Sequence, residues 1–370
     1  MNHPDNLPAN DTLSVPGEQD LCFDNPDDIA KITKKMHFTL FITAGLCILP
    51  LVIILCSLFI GRYEISPDTV IRILFSPVIP MEHTWSDAEE TIVLQVRLPR
   101  IIAAVMVGAA LSMAGAAYQG LFKNPLVSPD ILGVSQGAGF GAAIAILVTS
   151  TSGVVQVCAF IGGIVAVACT YFLSRIYKTE HILVLVLSGV IVGSFFQALV
   201  SITKYIADPY ETLPTIVFWL MGSLSSVNYT DILSIAPAIL FGGTVLLLIR
   251  WRINLLSLGS DEAKALGINM KQITRIIIFC ATLLTAASVC ISGIIGWVGL
   301  VVPHLSRMIT GPDYCRLLPM TIVIGASYLL IMDDIARSLI STEIPLGILT
   351  ALIGAPFFAF LLWRRKTGWA

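Results

Sequence analysis

The side chains best able to do chemistry in this chain fall into three groups. Asp333, Asp334 and Arg337 stand together inside a late, otherwise apolar stretch. Asp333 and Arg337 are four residues apart and can pair on one face of a helix. Charge inside an apolar segment is costly and marks function by default, and a self-satisfied pair near a helix end is the plainer alternative. Arg97 and Arg100 flank Leu98-Pro99 ahead of a long apolar run, where the proline suits a helix start. Neighbouring acids do not obviously cancel them, so they leave a positive patch suited to an anionic headgroup or an acidic partner protein. The third group lies in residues 257–270. Ser260 can cap a short helix there, Asp261 and Glu262 suit its positive N-terminus, Ala263 and Leu266 fall within it, and Gly267 can end it. Two helical turns are unstable alone, so this segment either docks against another surface or is an ordinary capped loop.

Other constellations are excluded. Gly137, Gly139 and Gly141 resemble a glycine-rich loop, but the dipeptide Gly-Lys occurs nowhere in the chain, so there is no Walker-type phosphate cradle and the chain is not expected to be an ATPase. His304 follows Pro303 with no second histidine at ligand spacing, and neither His-Glu-x-x-His nor Gly-x-Ser-x-Gly appears. None of the eight cysteines forms a Cys-x-x-Cys pair, and six of them (Cys47, Cys56, Cys158, Cys169, Cys280 and Cys290) lie in apolar runs. No disulfide framework, metal site or catalytic residue is expected.

The elements that must position these groups are membrane helices. The chain has 370 residues, of which 56% are hydrophobic and only 12% charged, roughly half the charge of a soluble domain. Apolar runs long enough to cross about 30 Å of hydrocarbon lie near 38–60, 101–122, 131–149, 154–176, 182–203, 231–249, 273–293, 317–340 and 346–363. A run at 295–309, broken by Pro303, makes a short or kinked tenth. Placing residues 1–36 in the cytoplasm, as an acidic and disordered tail, puts 16 of the 22 Lys and Arg on that side. Ten spans with both termini inside fit this bias, and residues 37–366 form one transmembrane domain. Residues 61–96 are expected to hold a short surface helix near 67–74. Residues 209–226 read as an interfacial amphipathic helix, or a re-entrant one. Gly108, Ser112, Ala116 and Gly120 recur every four residues on one helical face, the pattern of close helix packing. Gln119 on the same helix is expected to hydrogen-bond a neighbouring helix.

Taken together, the ordered motifs resemble the FecCD/BtuC-type permease family of binding-protein-dependent ABC importers for ferric siderophores, haem and vitamin B12. They are Arg97-Leu-Pro-Arg100 with Gly108-Ala-Ala-Leu111, Gly115 and Gln119, Asn124-Pro-Leu126 with Pro129, Leu132-Gly-Val-Ser135, and Trp219-Leu-Met-Gly222. Further along come Ala263-Lys-Ala-Leu-Gly267, Gly296 to His304, Leu317-Leu-Pro319, Asp333 with Arg337, and Glu343 to Gly347 through Pro356. The resemblance covers about residues 40–365, and Trp297 stands where the family usually has Phe. It implies an all-α permease of the type II ABC importer fold, in a bacterial or archaeal cytoplasmic membrane. It also implies a second permease, identical or not, two ABC ATPase subunits that bind ATP and Mg, and an extracytoplasmic substrate-binding protein. By the same resemblance Arg97, Arg100 and Arg337 would receive acidic side chains of the binding protein, residues 260–268 would be the coupling helix on the ATPase, and Asn124 and Leu126 would belong to a cytoplasmic gate. The span at 182–203 would line the pathway, and the permease itself would bind no cofactor. An ion-gradient-coupled secondary transporter is the competing class; it calls for charged relays at mid-membrane, whereas the acids here sit at one helix end.

Overall fold

Helices of this chain end where capping groups or left-handed residues stop them, and their apolar faces decide which lie inside. The computed structural model describes residues 48–76, 82–149, 151–176, 182–256 and 269–364, with Gly45 and Ile79 besides. The expected tail and the segment carrying Ser260, Asp261, Glu262, Ala263, Leu266 and Gly267 lie outside the described residues. All elements below belong to the compact unit Leu46–Ala370. They are α1 (Ile48–Phe59), α2 (Pro67–Phe75), α3 (Asp87–Thr91), α4 (Leu98–Phe122), α5 (Val134–Val148), α6 (Ser152–Arg175) and α7 (Ile182–Ile206). After these come α8 (Thr212–Met221), α9 (Tyr229–Leu255), α10 (Met270–Ser292), α11 (Val298–Thr310), α12 (Tyr314–Ser338) and α13 (Leu346–Arg364). Among the described residues six helices are long and apolar enough to cross a membrane, and α1, α5, α8 and α13 are shorter apolar helices, in keeping with about ten spans.

The centre of the bundle is α4 with α10: 78% and 72% of their apolar windows are buried, against 33% in α6, α7 and α9. The start of α4 departs from expectation. The helix does not begin at Pro99 but at Asp87, and runs for 36 residues through one π-helical turn, Ile92–Arg97. Ser86 and Glu89 form a reciprocal capping box at its true start. Pro99 has no N–H to donate, and its ring crowds the preceding turn. The helix answers with the wider turn just ahead, in which the Leu98 N–H reaches back to the Val93 carbonyl. Lys123 ends α4 in the left-handed region, at φ 50°, a conformation that costs a non-glycine residue about 1 kcal/mol or more.

Close approaches replace large side chains in the interior. A β-carbon on Gly108 would lie 2.3 Å from the Gly325 carbonyl oxygen of α12, and one on Gly115 only 1.8 Å from that of Gly299 on α11. The four-residue small stripe is therefore a packing surface, as expected. Gly137 and Gly141 have the same role on α5, where added β-carbons would strike backbone carbonyls of Gly162 and Cys158 on α6. The apparent glycine-rich loop is thus a helix face.

The short helices also settle into place. Ser66 caps α2 with Pro67 in its first turn. α8 ends at Gly222 (φ 75°), where the Leu346 N–H donates to the Gly222 carbonyl and the Ser223 N–H to that of Ser292, at 2.8 Å each. These bonds pair the non-helical backbone at the end of α8 within the protein. His304 is buried on α11 with its ring edge-on to Phe358, which matches a structural role.

Gly115→Leu is expected to part α4 from α11. Overpacking of this kind costs about 1–3 kcal/mol or more and should lower the melting temperature of the detergent-solubilised protein. Gly296→Ala, which meets open space, should leave that temperature unchanged.

Candidate functional site: polar networks at the two ends of the bundle

Two polar networks occupy opposite ends of α4, whose 25 residues span about 37 Å. At its start Arg97, Arg100 and Arg337 come together, as their motifs suggested, but not as an open positive patch. All three are at most 5% exposed. Arg100 grips Asp333 with Nε donating at 3.0 and 2.8 Å to the two carboxylate oxygens and Nη2 at 2.9 Å to Oδ1. Its Nη1 donates at 2.8 Å to Glu343 Oε1. Arg337 turns to Asp334, and its Nη2 also donates to the Ser57 carbonyl and hydroxyl oxygens, each at 2.7 Å. The Ser57 hydroxyl donates to Asp334 Oδ1 at 2.6 Å. Arg97 donates at 2.8 Å to the Leu58 carbonyl and also to that of Tyr63.

One sequence expectation is corrected here. The positive charge is largely offset: Asp333 and Glu343 take Arg100 and Asp334 takes Arg337, while Arg97 bonds backbone carbonyls and Arg62 joins through the Arg337 carbonyl. Arg337 keeps its expected pairing with Asp333 and gains a closer partner. Its distance to Asp333 is 3.8 Å, while Asp334, one position nearer, holds it directly. Asp333 faces α4 and is taken by Arg100. Such planar, doubly bonded pairing satisfies an ion pair with no water nearby. The network ties the end of α1, the start of α4, the end of α12 and the link to α13. The Ser57 hydroxyl is locked between Asp334 and Arg337, so the network binds and holds charge.

At the other end of α4, Gln119 does bond a neighbouring helix. Its Oε1 accepts from Arg307 Nη2 at 3.1 Å, while its Nε2 donates to the Val127 carbonyl at 3.3 Å. Arg307, which entered the sequence reading only as a topology charge, is thus part of a site; its signal was its position four residues after Pro303 on a short helix. Asn124 folds its Oδ1 onto the Leu126 N–H at 2.9 Å, and Leu126 is 51% exposed. Nearby, Asp313 Oδ1 accepts from Asn254 Nδ2 at 2.6 Å and from the Cys315 N–H at 2.9 Å. These bonds hold the Asp313 pKa below its usual range, so it stays ionised.

Comparison with known proteins agrees with this architecture. Residues 48–364 match the profile of the FecCD transport family. The molybdate import system permease MolB of Haemophilus influenzae is 42% identical over 343 residues, covering 93% of this chain and 98% of the relative. A probable iron chelatin transport system permease of Helicobacter pylori is 40% identical over 275 residues, 74% of this chain and 83% of that one. A solved inward-facing structure described as a metal-chelate type ABC transporter superposes with a TM-score of 0.78 at 41% identity, covering 87% of this chain and 99% of that one.

Neutralising one partner of the core pair, by Arg100→Gln or Asp333→Asn, should cost about 3–5 kcal/mol by leaving a buried charge alone. Replacing both with Met and Leu should recover most of that loss. Thermal unfolding of the four purified proteins gives the coupling directly, and additive single losses would contradict it.

Proposed function

Because the chain belongs to the FecCD transport family, we propose that it is the membrane-spanning permease of an ABC importer that passes a metal chelate (a ferric siderophore, haem or cobalamin) from a binding protein to the cytoplasm. The observation that carries this reading is the unbroken family match across every described span. Relatives named as import permeases for metal-containing substrates support the substrate class. Transport of molybdate is the second reading, favoured by the relative matched over 98% of its length. On either reading the work of ATP hydrolysis belongs to two partner ATPase subunits, a second permease completes the pathway, and both termini face the cytoplasm. α7 suits the pathway or the second permease because its outer face is apolar and uncovered, with Leu183, Leu187, Ile191 and Phe195 each more than half exposed.

Residues 260–268 are proposed to couple to the ATPase, and Asn124 and Leu126 to belong to the gate at the same end. The binding protein is proposed to dock over the arginine end. Arg97 and Arg337 are committed to internal partners, so their role is to fix the platform. Arg100 is the one arginine with a labile contact: Glu343 is 30% exposed, and a carboxylate from the binding protein can take its place on Nη1. Reversing Arg100 to Glu is a poor probe of docking, since it would bury like charge against Asp333. Glu343→Gln, which weakens the internal competitor, should instead tighten docking of the binding protein in low salt, read by surface plasmon resonance. Unchanged affinity would remove Arg100 from the interface.

Elemental mass spectrometry of the cognate binding protein separates the two substrates, with iron or cobalt supporting the chelate and molybdenum the oxyanion. In the reconstituted complex, Leu266→Asp should abolish substrate-stimulated ATP hydrolysis. Severing a coupling of this size corresponds to a loss of roughly 5- to 150-fold, and retained stimulation would exclude residues 260–268 as the coupling element.

A further inference from the structure

The end of α4 remote from the arginine cluster opens into a cavity of about 500 Å³ lined by Gln119, Lys123, Asn124, Asn254, Arg307 and Asp313, among others. Arg307 stands out among these because its bonds are fewer than its donors. It is half-buried near the end of α11, and among the described residues it has no carboxylate partner. Both of its hydrogen bonds leave from Nη2, at 3.1 Å to Gln119 Oε1 and 3.5 Å to the Tyr314 hydroxyl. A guanidinium carries five N–H groups in a rigid fork, so its Nε and Nη1 donors are left for something else. Arg100 shows how this chain treats a guanidinium that it intends to neutralise: every arm of that fork ends on a carboxylate.

The surroundings point to an anion. Lys123 brings a second positive charge to the lining, and Asn124 and Asn254 bring amides. Among the described lining residues Asp313 is the one acid, and its carboxylate is engaged by the Cys315 N–H and the Asn254 amide. The wall is also built tightly around the opening: a β-carbon on Gly120 would come within 2.6 Å of Ile253 and 2.9 Å of the Tyr314 ring, so the helix backbone itself forms one side.

From this we infer that the cavity is a binding site for a phosphate-like tetrahedral oxyanion, held by the unused arm of the Arg307 fork. A planar fork matches two oxygens of such an anion. Two sources share this chemistry, the phosphate of an anionic lipid headgroup and a free oxyanion such as orthophosphate or molybdate. On either source the site lies at the end of the bundle opposite the arginine cluster, separate from the proposed docking contact and from α7.

The test uses the purified full-length permease in nanodiscs of phosphatidylcholine, with and without phosphatidylglycerol, and the variants Arg307→Gln and Arg307→Lys. Native mass spectrometry reads retained phosphatidylglycerol, and thermal shift reads titrations of orthophosphate and molybdate in the phosphatidylcholine discs. Retained phosphatidylglycerol identifies a lipid headgroup, and an anion-dependent rise in melting temperature identifies a free oxyanion. In either case Arg307→Gln should weaken the interaction by about 10- to 100-fold, the size of a lost charge-assisted bond. Arg307→Lys keeps the charge without the fork and should fall between; it stands in if the glutamine variant does not fold. The inference is overturned if neither probe binds the wild type, or if both variants bind as the wild type does. It is also overturned if Arg307→Gln loses co-purification of the cognate ATPase while anion binding is unchanged, which would assign the fork to a protein carboxylate.

Discussion

The grip of Arg100 on Asp333 is the interaction on which the described bundle depends. Helices in lipid gain nothing from burying apolar surface against one another, because lipid tails are as apolar as leucine. What sets α4 against α12 must therefore be close packing or polar contact, and this pair supplies the polar contact at full burial, with Asp333 completely enclosed. Desolvating two charges costs several kcal/mol each and is offset only when the geometry is good and the remaining donors find partners. Here they do: Glu343 takes the free arm of Arg100, and Asp334 with Ser57 takes Arg337. The network gives the two helices one register, since a slip of α12 by one residue would present Asp334 or Met332 to Arg100.

That register is what lets the glycine contacts further along exist. Gly108 against Gly325 and Gly115 against Gly299 bring backbones to distances that forbid any β-carbon. Such surfaces fit in one alignment only, so a displaced α12 would drive the side chains of Leu329 or Ser112 into the facing helix. The ion pair fixes position and the glycines convert position into close contact. Along α4 these contacts follow in order from the buried pair, through the small stripe, to Gln119 at the far end.

Much of this was legible in the amino-acid order, and the parts that were not share a cause. Long apolar runs announced the spans, the expected surface helix near 67–74 is α2, and the four-residue spacing from Gly108 announced a packed face. The helical stretch 87–97 was missed because Asp87, Glu89 and Glu90 interrupt the apolar pattern and because Pro99 is an honest start signal that a π turn can absorb. The carboxylate partners of Arg100 were missed because such pairing is three-dimensional: Asp333 is 233 residues and Glu343 is 243 residues from Arg100. Local spacing favoured Asp333 with Arg337, a pair four apart, and could not weigh it against a partner on another helix. Family resemblance brought the same motifs together as a set, yet it carried no information on whether their charges point outward or at each other.

The two ends of α4 differ in kind. At its start, buried arginines and carboxylates interlock across α1, α4 and α12. At its end, Lys123 adopts a left-handed backbone, Asn124 turns onto its own loop and the Arg307 guanidinium has only neutral partners among the described residues. α4 joins them as one continuous helix, Leu98–Phe122, buried along most of its length. A tilt or rotation imposed at one end must then be carried to the other as a rigid body, since close-packed interiors shift between discrete arrangements and do not deform smoothly. α4 is therefore the direct mechanical link between the carboxylate-held arginines at its start and the Arg307–Gln119 contact at its end.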